Sequence, residues 1–338
     1  MPAGLMRRVR FGGVWHEPSG PVRRVRFGGV WHEPSEPAEG SWDMAWSTQD
    51  FDAIYAWYED NTGLSDPSSL GPETTSMVVS THDGQVIEDL DIQSAGSGNR
   101  AIWVRHDNVT VRNCLISHFD RANGVAVSND ASGVVIEHND FDAGLEEWVS
   151  DSGSICILSG GDTTIRRNHL AGYRAGMALT GDDITVVENY LARNYTGARP
   201  HWTMKGSGLT YRGTQGSGNV VIERNLINLT ATRSSGTNLY AVDPIRNVVV
   251  RDNYYIGHGG GWGLVGGDTS HGSKESNENI RIEGNRFDGD FEWPDVLGEG
   301  TNAGVNMGRP GAVWTNNRWV GGTRDLAPRC GTRQDACH

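Results

Sequence analysis

The sequence predicts an all-β chain wound into a solenoid of parallel strands, preceded by a short helix and a two-copy arm. Three observations carry that prediction. One apolar/polar pattern returns eight times from about residue 109 onward. Glycine fills 46 of the 338 positions, which suits many turns and disfavours long helices. Thirteen residues, RRVRFGGVWHEPS, occur twice without change, at 7–19 and 23–35.

The doublet comes first in the chain. In each copy VRF-GG-VWH has the form of a two-residue hairpin, its glycines free to take the positive φ angles such a turn demands. Register then sets Phe11 opposite Val14, Arg10 opposite Trp15 and Arg8 opposite Glu17, and the second copy repeats this from Arg24 to Glu33. These are an apolar pair, a cation–π pair and a salt bridge. A lone hairpin is only marginally stable in water, so each copy reads as a module that needs a surface to lie on. Phe11, Trp15, Phe27 and Trp31 are the candidate docking residues. Proline-rich spacers separate the copies, and two linked copies give bivalent attachment. Residues 1–38 are assigned to this docking arm; a duplicated cloning scar is the alternative.

Residues 39–77 hold a linker and the helix. In WSTQDFDAIYAWYEDNTG, Ser47 or Thr48 supplies an N-cap, and Phe51, Ile54, Tyr55 and Tyr58 fall at helical spacing. A solenoid must cap its open ends, and this helix is expected to plug the N-terminal one.

The solenoid is assigned to residues 78–326. Its copies read VTVRNCLI, VVIEHNDF, TTIRRNHL, ITVVENYL, VVIERNLI, VVVRDNYY, IRIEGNRF and AVWTNNRW. Each is apolar-x-apolar-x-x-Asn-x-apolar, with Cys114 standing for Asn in the first copy and Asn139, Asn168, Asn189, Asn225, Asn253, Asn285 and Asn317 in the others. Period-2 alternation broken by a recurring polar residue describes a strand, a bend and a second strand. A further strand precedes each copy, as in GVAVSND or GMALTGDD, which makes three strands per coil. The repeat interval of 21 to 36 residues means loops of variable length. Parallel stacking turns each inward position into a ladder of like residues, and the asparagines bond the bends and one another. The outward column Arg112, Glu137, Arg166, Val187, Glu223, Arg251, Glu283, Thr315 alternates in sign through most of its length, as a surface ladder does.

The pattern resembles the right-handed parallel β-helix of the pectate-lyase-like superfold. That superfold hosts lyases, hydrolases and pure binders, so function must come from a site. Polygalacturonase-like enzymes carry a paired Asp and a Gly-His-Gly, and Asp182–Asp183 with Gly257-His258-Gly259 look similar. Register separates them: the aspartates fall in the turn between first and second strands, and His258 after a third strand. WVRHD at 103–107 only echoes the pectate-lyase WxDH block. HExxH, CxxC, P-loop and GxSxG motifs are missing from the sequence, and neither a metal nor a cofactor is expected.

The informative feature left is loop length. Long loops follow the third strand at 142–153, 193–208 and 288–300. They carry Trp148, Tyr195, Trp202 and Trp293, whose flat faces suit sugar rings, among carboxylates such as Asp142, Asp151 and Asp290. These four aromatics are the candidate carbohydrate-binding residues. If the edge is catalytic, Glu146 and Glu147 are the acid/base candidates, with His201 and Lys205 as proton donor or uronate neutraliser. The other reading has the tryptophans pinning the loops and the acids solvated.

Net charge is −13; residues 1–35 hold six arginines against two glutamates, a local +4 that leaves −17 on the rest. Nucleic acid is an unsuited partner for such a body. No apolar run is long enough for a membrane span, and the arginine-bearing start lacks the apolar segment of a secretory leader. Cys330 and Cys337, in the tail at 327–338, read equally as a small loop closure or as two free thiols.

Short Arg/Gly-Gly/Trp segments ahead of a β-helix resemble minor tail proteins of phages infecting actinobacteria, and EDNTGLSDPSSLG, GQVIEDLDI and NVTVRNCLIS are similar to β-helix proteins of those phages and their hosts. The resemblance implies a virion tail component assembled in the host cytoplasm. Its arm would contact other tail proteins, and its body host cell-surface polysaccharide. By the same analogy the assembly is a homotrimer. The reading kept beside it is a free, secreted polysaccharide lyase or glycoside hydrolase.

Overall fold

The computed structural model describes residues 51–93, 100–117, 123–142, 155–171, 175–192, 207–211, 218–229, 235–239, 246–257, 262–266, 278–288 and 313–320, with the strand backbones at 9–11, 14–16, 25–27 and 30–32. The chain divides into two compact units, Met1–Trp57 and Tyr58–His338.

In the first unit the doublet forms two antiparallel hairpins. β1 (Val9–Phe11) pairs with β2 (Val14–His16), setting Arg10 beside Trp15 and Phe11 beside Val14. β3 (Val25–Phe27) and β4 (Val30–His32) repeat that register, with Arg26 beside Trp31 and Phe27 beside Val30. The backbones of Phe11, Trp15, Phe27 and Trp31 thus lie in the strands; their side chains, and the expected Arg8–Glu17 and Arg24–Glu33 pairs, lie outside the described residues.

The second unit is a parallel solenoid. Among the described residues its sheets contain eight first strands, nine second strands and ten third strands, each pairing in parallel with its neighbours in the adjacent coils. The expected registers hold: Val111 stands between Ile87 and Ile136, and the column continues through Ile165, Val186, Ile222, Val250 and Ile282 to Trp314. A second column runs from Ile92 through Ile116, Phe141, Leu170, Leu191, Ile227, Tyr255 and Phe287 to Trp319. All are buried except the terminal tryptophans, which are partly so. Tyr255 and Phe287 stack with centroids 4.9 Å apart, the offset geometry aromatic rings favour. The repeat pattern counts eight copies; a coil at 78–93 precedes them, with Leu90 at the Asn place.

The asparagine column makes each bend possible. The residue before it takes a positive φ, as in His138 (52°), Arg167 (53°) and Arg224 (51°). That conformation turns backbone groups inward, and the buried amide satisfies them. The Asn168 Nδ2 donates to the carbonyls of Ile136 and Arg166 and to the Asn189 Oδ1, at 2.9, 3.0 and 3.0 Å. The same links repeat from coil to coil up to Asn317. Cys114 takes its place in this column: its Sγ sits 3.2 Å from the Arg112 carbonyl and 3.8 Å from that of Ile87, the two carbonyls equivalent to those an Asn would reach.

The helix α1 (Phe51–Asn61) forms where expected, spanning the junction of the two units. Its last turn, however, meets the flank of the solenoid rather than the open end. Tyr58 is fully buried, its hydroxyl donates to the Arg224 carbonyl at 2.6 Å, and its ring lies 6.4 Å from that of Tyr190. From there the chain runs back across the bends as a strap. The Gly63 N–H donates to the Arg167 carbonyl (3.0 Å), that of Asp66 to the Asn113 Oδ1 (2.9 Å), and that of Gly71 to the Asp89 carbonyl (2.7 Å). The cause is an apolar strip: Leu115, Tyr190, Leu226 and Tyr254, outward in the third sheet, are all buried. An uncovered strip of this kind is more costly than one coil's end.

Candidate functional site

Three of the longest connections leave the edge where a third strand hands over to the next first strand. They follow Asp142, Ala192 and Asp288, and the first two re-enter at Ile155 and Ser207. The loops themselves, with Glu146, Glu147, Trp148, Tyr195, His201, Trp202, Lys205 and Trp293, lie outside the described residues. What the described residues supply is the rigid frame from which these loops depart.

Beside the exit at Asp142 the outer face of the third sheet carries His169, whose Nδ1 is 3.0 Å from the Asp140 Oδ1. The ring stacks on Tyr190 at 5.1 Å. Burial alone would lower the imidazole pKa, but Asp140, with Glu59 and Asp142 behind it, outweighs burial and holds it above its ordinary value. The imidazolium is therefore a cation set among carboxylates.

A groove on the bends is lined by Glu137, His138, Arg166, Arg167, Val187, Glu188 and Arg224. Its charges are matched between coils: Arg166 reaches Glu137 at 2.6 Å, Arg167 reaches Glu188 at 2.9 Å, and Arg224 reaches Glu188 at 3.6 Å. Burial, then Arg167, hold His138 below its usual value, so it stays neutral. Arg166–Glu137, with Arg112–Glu88 and Arg251–Glu223, forms the surface ladder the sequence predicts.

Asp182 and Asp183 are both engaged in the turn where the register puts them. The Asp182 Oδ1 accepts the Gly218 N–H at 2.9 Å, and the Asp183 Oδ1 accepts from the Asn219 Nδ2 at 2.8 Å; both are turn residues between first and second strands. His258 lies outside the described residues, following a third strand that ends at Gly257. Cys114 and Cys156 are free and buried; burial pushes the Cys114 thiol up to about 12 and that of Cys156 well above its ordinary value, which makes both inert. Cys330 and Cys337 lie outside the described residues. Among the described residues no group of three or more His, Cys, Asp or Glu is placed to hold a metal ion. Among them, too, no helix is long and apolar enough to cross a membrane.

Two features escape a sequence reading. The first is a second polar ladder on the surface, in which the Asn219, Asn247 and Asn279 amides each donate to the coil before, at 2.8, 3.1 and 2.8 Å. Its signal was an Asn at the second residue of each strand, in GNVV, RNVV and ENIR. The second is a set of side chains on the outer face of the first sheet. Trp103 lies there with the guanidinium carbons of Arg100 and Arg105 each 4.6 Å from its ring centroid.

Comparison with known proteins places these features in a family. The model of the right handed beta helix region matches residues 76–287. No curated protein sequence matches the chain. Among solved structures, the Dettilon tailspike protein superposes with a TM-score of 0.45 at 14% identity, over 79% of this chain and 62% of that one. The chain thus spans less than two thirds of that tailspike. The Agl-KA catalytic domain gives 0.36 at 12% identity, over 74% of this chain and 54% of that one. The Azotobacter vinelandii mannuronan C-5 epimerase AlgE4 A-module gives 0.32 at 13% identity, over 83% and 93%. With its parallel three-sheet coils and a family match over more than half its length, the chain belongs to the right-handed β-helix family.

Proposed function

We propose that the protein is a minor tail protein of an actinobacteria-infecting phage, whose β-helix contacts host cell-surface glycan and whose N-terminal doublet attaches it to other tail proteins. One observation carries the glycan reading: the long, aromatic- and acid-rich loops share one edge of a rigid frame, leaving it at Asp142, Ala192 and Asp288. Rigid scaffolds presenting variable loops are where recognition concentrates. The paired hairpins support the attachment role, because two identical modules on one tether suit a repeated or symmetric partner.

The test is a pull-down with host-envelope polysaccharide. Trp148→Ala or Trp202→Ala is expected to weaken retention roughly tenfold, the worth of one lost aromatic anchor, with an unchanged circular dichroism spectrum. Unchanged retention in both variants rejects the loop edge as the binding face. Shortening of the glycan that disappears in a Glu146→Ala/Glu147→Ala double variant identifies a depolymerase instead of a pure binder.

A further inference from the structure

Among the described residues the solenoid matches its charges closely, and one place breaks the rule. The arginines of the bends and second strands have oxygen partners: Arg112 has Glu88, Arg166 has Glu137, Arg251 has Glu223 and Arg281 has Glu283. Arg100 and Arg105 are different. Among the described residues neither guanidinium joins an ion pair or donates a hydrogen bond, and each is held instead over Trp103, 4.6 Å from the ring centroid.

The strand Arg100–Val104 explains the arrangement. Ile102 and Val104 are buried in the core, so Trp103 between them faces outward and stays half-buried. Arg100 stands three residues before it and Arg105 two after. The turn that presents Arg105 is fixed from below: the Arg105 N–H donates to the Ser80 Oγ at 2.8 Å, and that hydroxyl bonds the His106 Nδ1 at 2.8 Å, with Ser80 itself buried. The Arg100 Nε is shielded from water and has no acceptor.

Two like charges beside one indole repel each other, and a cation–π contact is worth only about 0.5–1 kcal/mol at an exposed site. A third group that carries negative charge resolves the repulsion. The chain's overall −13 works against casual anion capture, so the attraction must be local, within a screening length of about 8–10 Å. Guanidinium forks bind carboxylate and phosphate through paired N–H donors, and a partly dehydrated fork binds them more strongly than a solvated one. A half-buried indole alongside supplies the flat apolar wall that a sugar ring prefers over a bare ion.

We propose that Arg100, Trp103 and Arg105 form a binding site for the oxyanion of an acidic glycan, a sugar carboxylate or a backbone phosphate. This deepens the glycan reading above and rests on it. The site lies on the first sheet, into which the long loops return, and names a charge class for the ligand.

The experiment titrates the full-length protein calorimetrically with three short oligomers: a uronate oligosaccharide, a glycerol-phosphate oligomer and a neutral glucan of equal length. One acidic oligomer is expected to bind and the glucan not, with affinity falling as salt rises. Arg100→Gln/Arg105→Gln should reduce that binding at least about tenfold, and Arg100→Lys/Arg105→Lys should restore it only in part, because charge returns without the fork. The lysine pair also guards against a folding defect in the glutamine pair. The carboxylate and phosphate arms identify which oxyanion is read. If neither acidic oligomer binds better than glucan, or the glutamine pair binds undiminished, the site is rejected. If the glutamine pair keeps full retention on host polysaccharide while Trp148→Ala loses it, the patch fails and the loop reading stands. The reverse pattern upholds the patch and rejects the loops.

Discussion

At the scale of the residue, the asparagine column carries more of the fold than any surface charge. Asn225 shows why. Its Oδ1 accepts the Asn189 backbone N–H and the Asn189 Nδ2, both at 3.0 Å, while its own Nδ2 donates to the Asn253 Oδ1 and the carbonyls of Val186 and Glu223 at 2.9–3.1 Å. Leucine matches the side chain in size and can do none of this. Asn225→Leu leaves the Asn189 backbone N–H buried without an acceptor, at a cost of about 1–3 kcal/mol. The expected result is a lower thermal midpoint; a melting curve that overlays the parent's rejects the column as a structural support. Cys114 marks the limit of tolerance. A thiol reaches the Arg112 and Ile87 carbonyls but accepts poorly, and it is affordable because Leu90 in the preceding coil brings no side-chain amide. By contrast, exposed pairs such as Arg112–Glu88 are worth about 0–1 kcal/mol each, so sign changes there should matter little.

At the scale of the element, a titrating group of the solenoid, His169, sits beside the strap that runs from Tyr58 to Gly71. His169 bonds Asp140 and stacks on Tyr190, Glu59 and Asp142 add their negative charge, and its folded-state pKa lies above the ordinary imidazole value of about 6.5. The protonated form is therefore the one that folding favours. Its contribution is complete below the ordinary pKa and is lost as pH rises through the folded value. The thermal midpoint should fall between about pH 5.5 and about pH 8 by more in the parent than in His169→Gln; equal falls reject the contact as a stabiliser. His138, shifted the other way by burial and Arg167, contributes equally to both proteins and drops out of the difference. The coils, their register and the bend ladder were legible in the sequence because period-2 alternation repeats eight times. The strap's seat was not, although it is written there: Leu115, Tyr190, Leu226 and Tyr254 stand between the Asn place and the inner apolar residue. With an apolar outward residue directly before the apolar inward one the alternation vanishes, and only a distant segment, residues 58–71, decides which face is covered. Nor did the pattern reveal Arg100 and Arg105, which occur in a single coil and so generate no period. The loop residues, from Glu146 to Trp293, vary in length and composition from coil to coil, and no register follows from such a segment.

At the scale of the whole molecule, two units with different chemistry share one chain. Residues 1–35 carry a local +4 and the rest −17, and the repeat pattern places no inner ladder position within residues 1–38. Folding of the second unit is therefore expected to be independent of residues 1–38. Their deletion should leave a soluble protein with the parent's circular dichroism and thermal midpoint, and with unchanged retention on host polysaccharide. The same deletion should remove the protein from assembled virions. Deleting one copy alone, residues 7–22, should weaken that incorporation sharply, because the second contact of a tethered pair is intramolecular and often gains about 10²–10⁴ in avidity. Trp15→Ala with Trp31→Ala should act like the full deletion, each indole being the largest apolar surface its hairpin offers a partner. Immunogold labelling of purified particles, alongside glycan retention of the truncated protein, separates the outcomes. Loss of labelling with glycan retention intact assigns attachment to the arm. Loss of glycan retention with no particle ever labelled assigns the arm to the binding face and overturns the tail-protein reading.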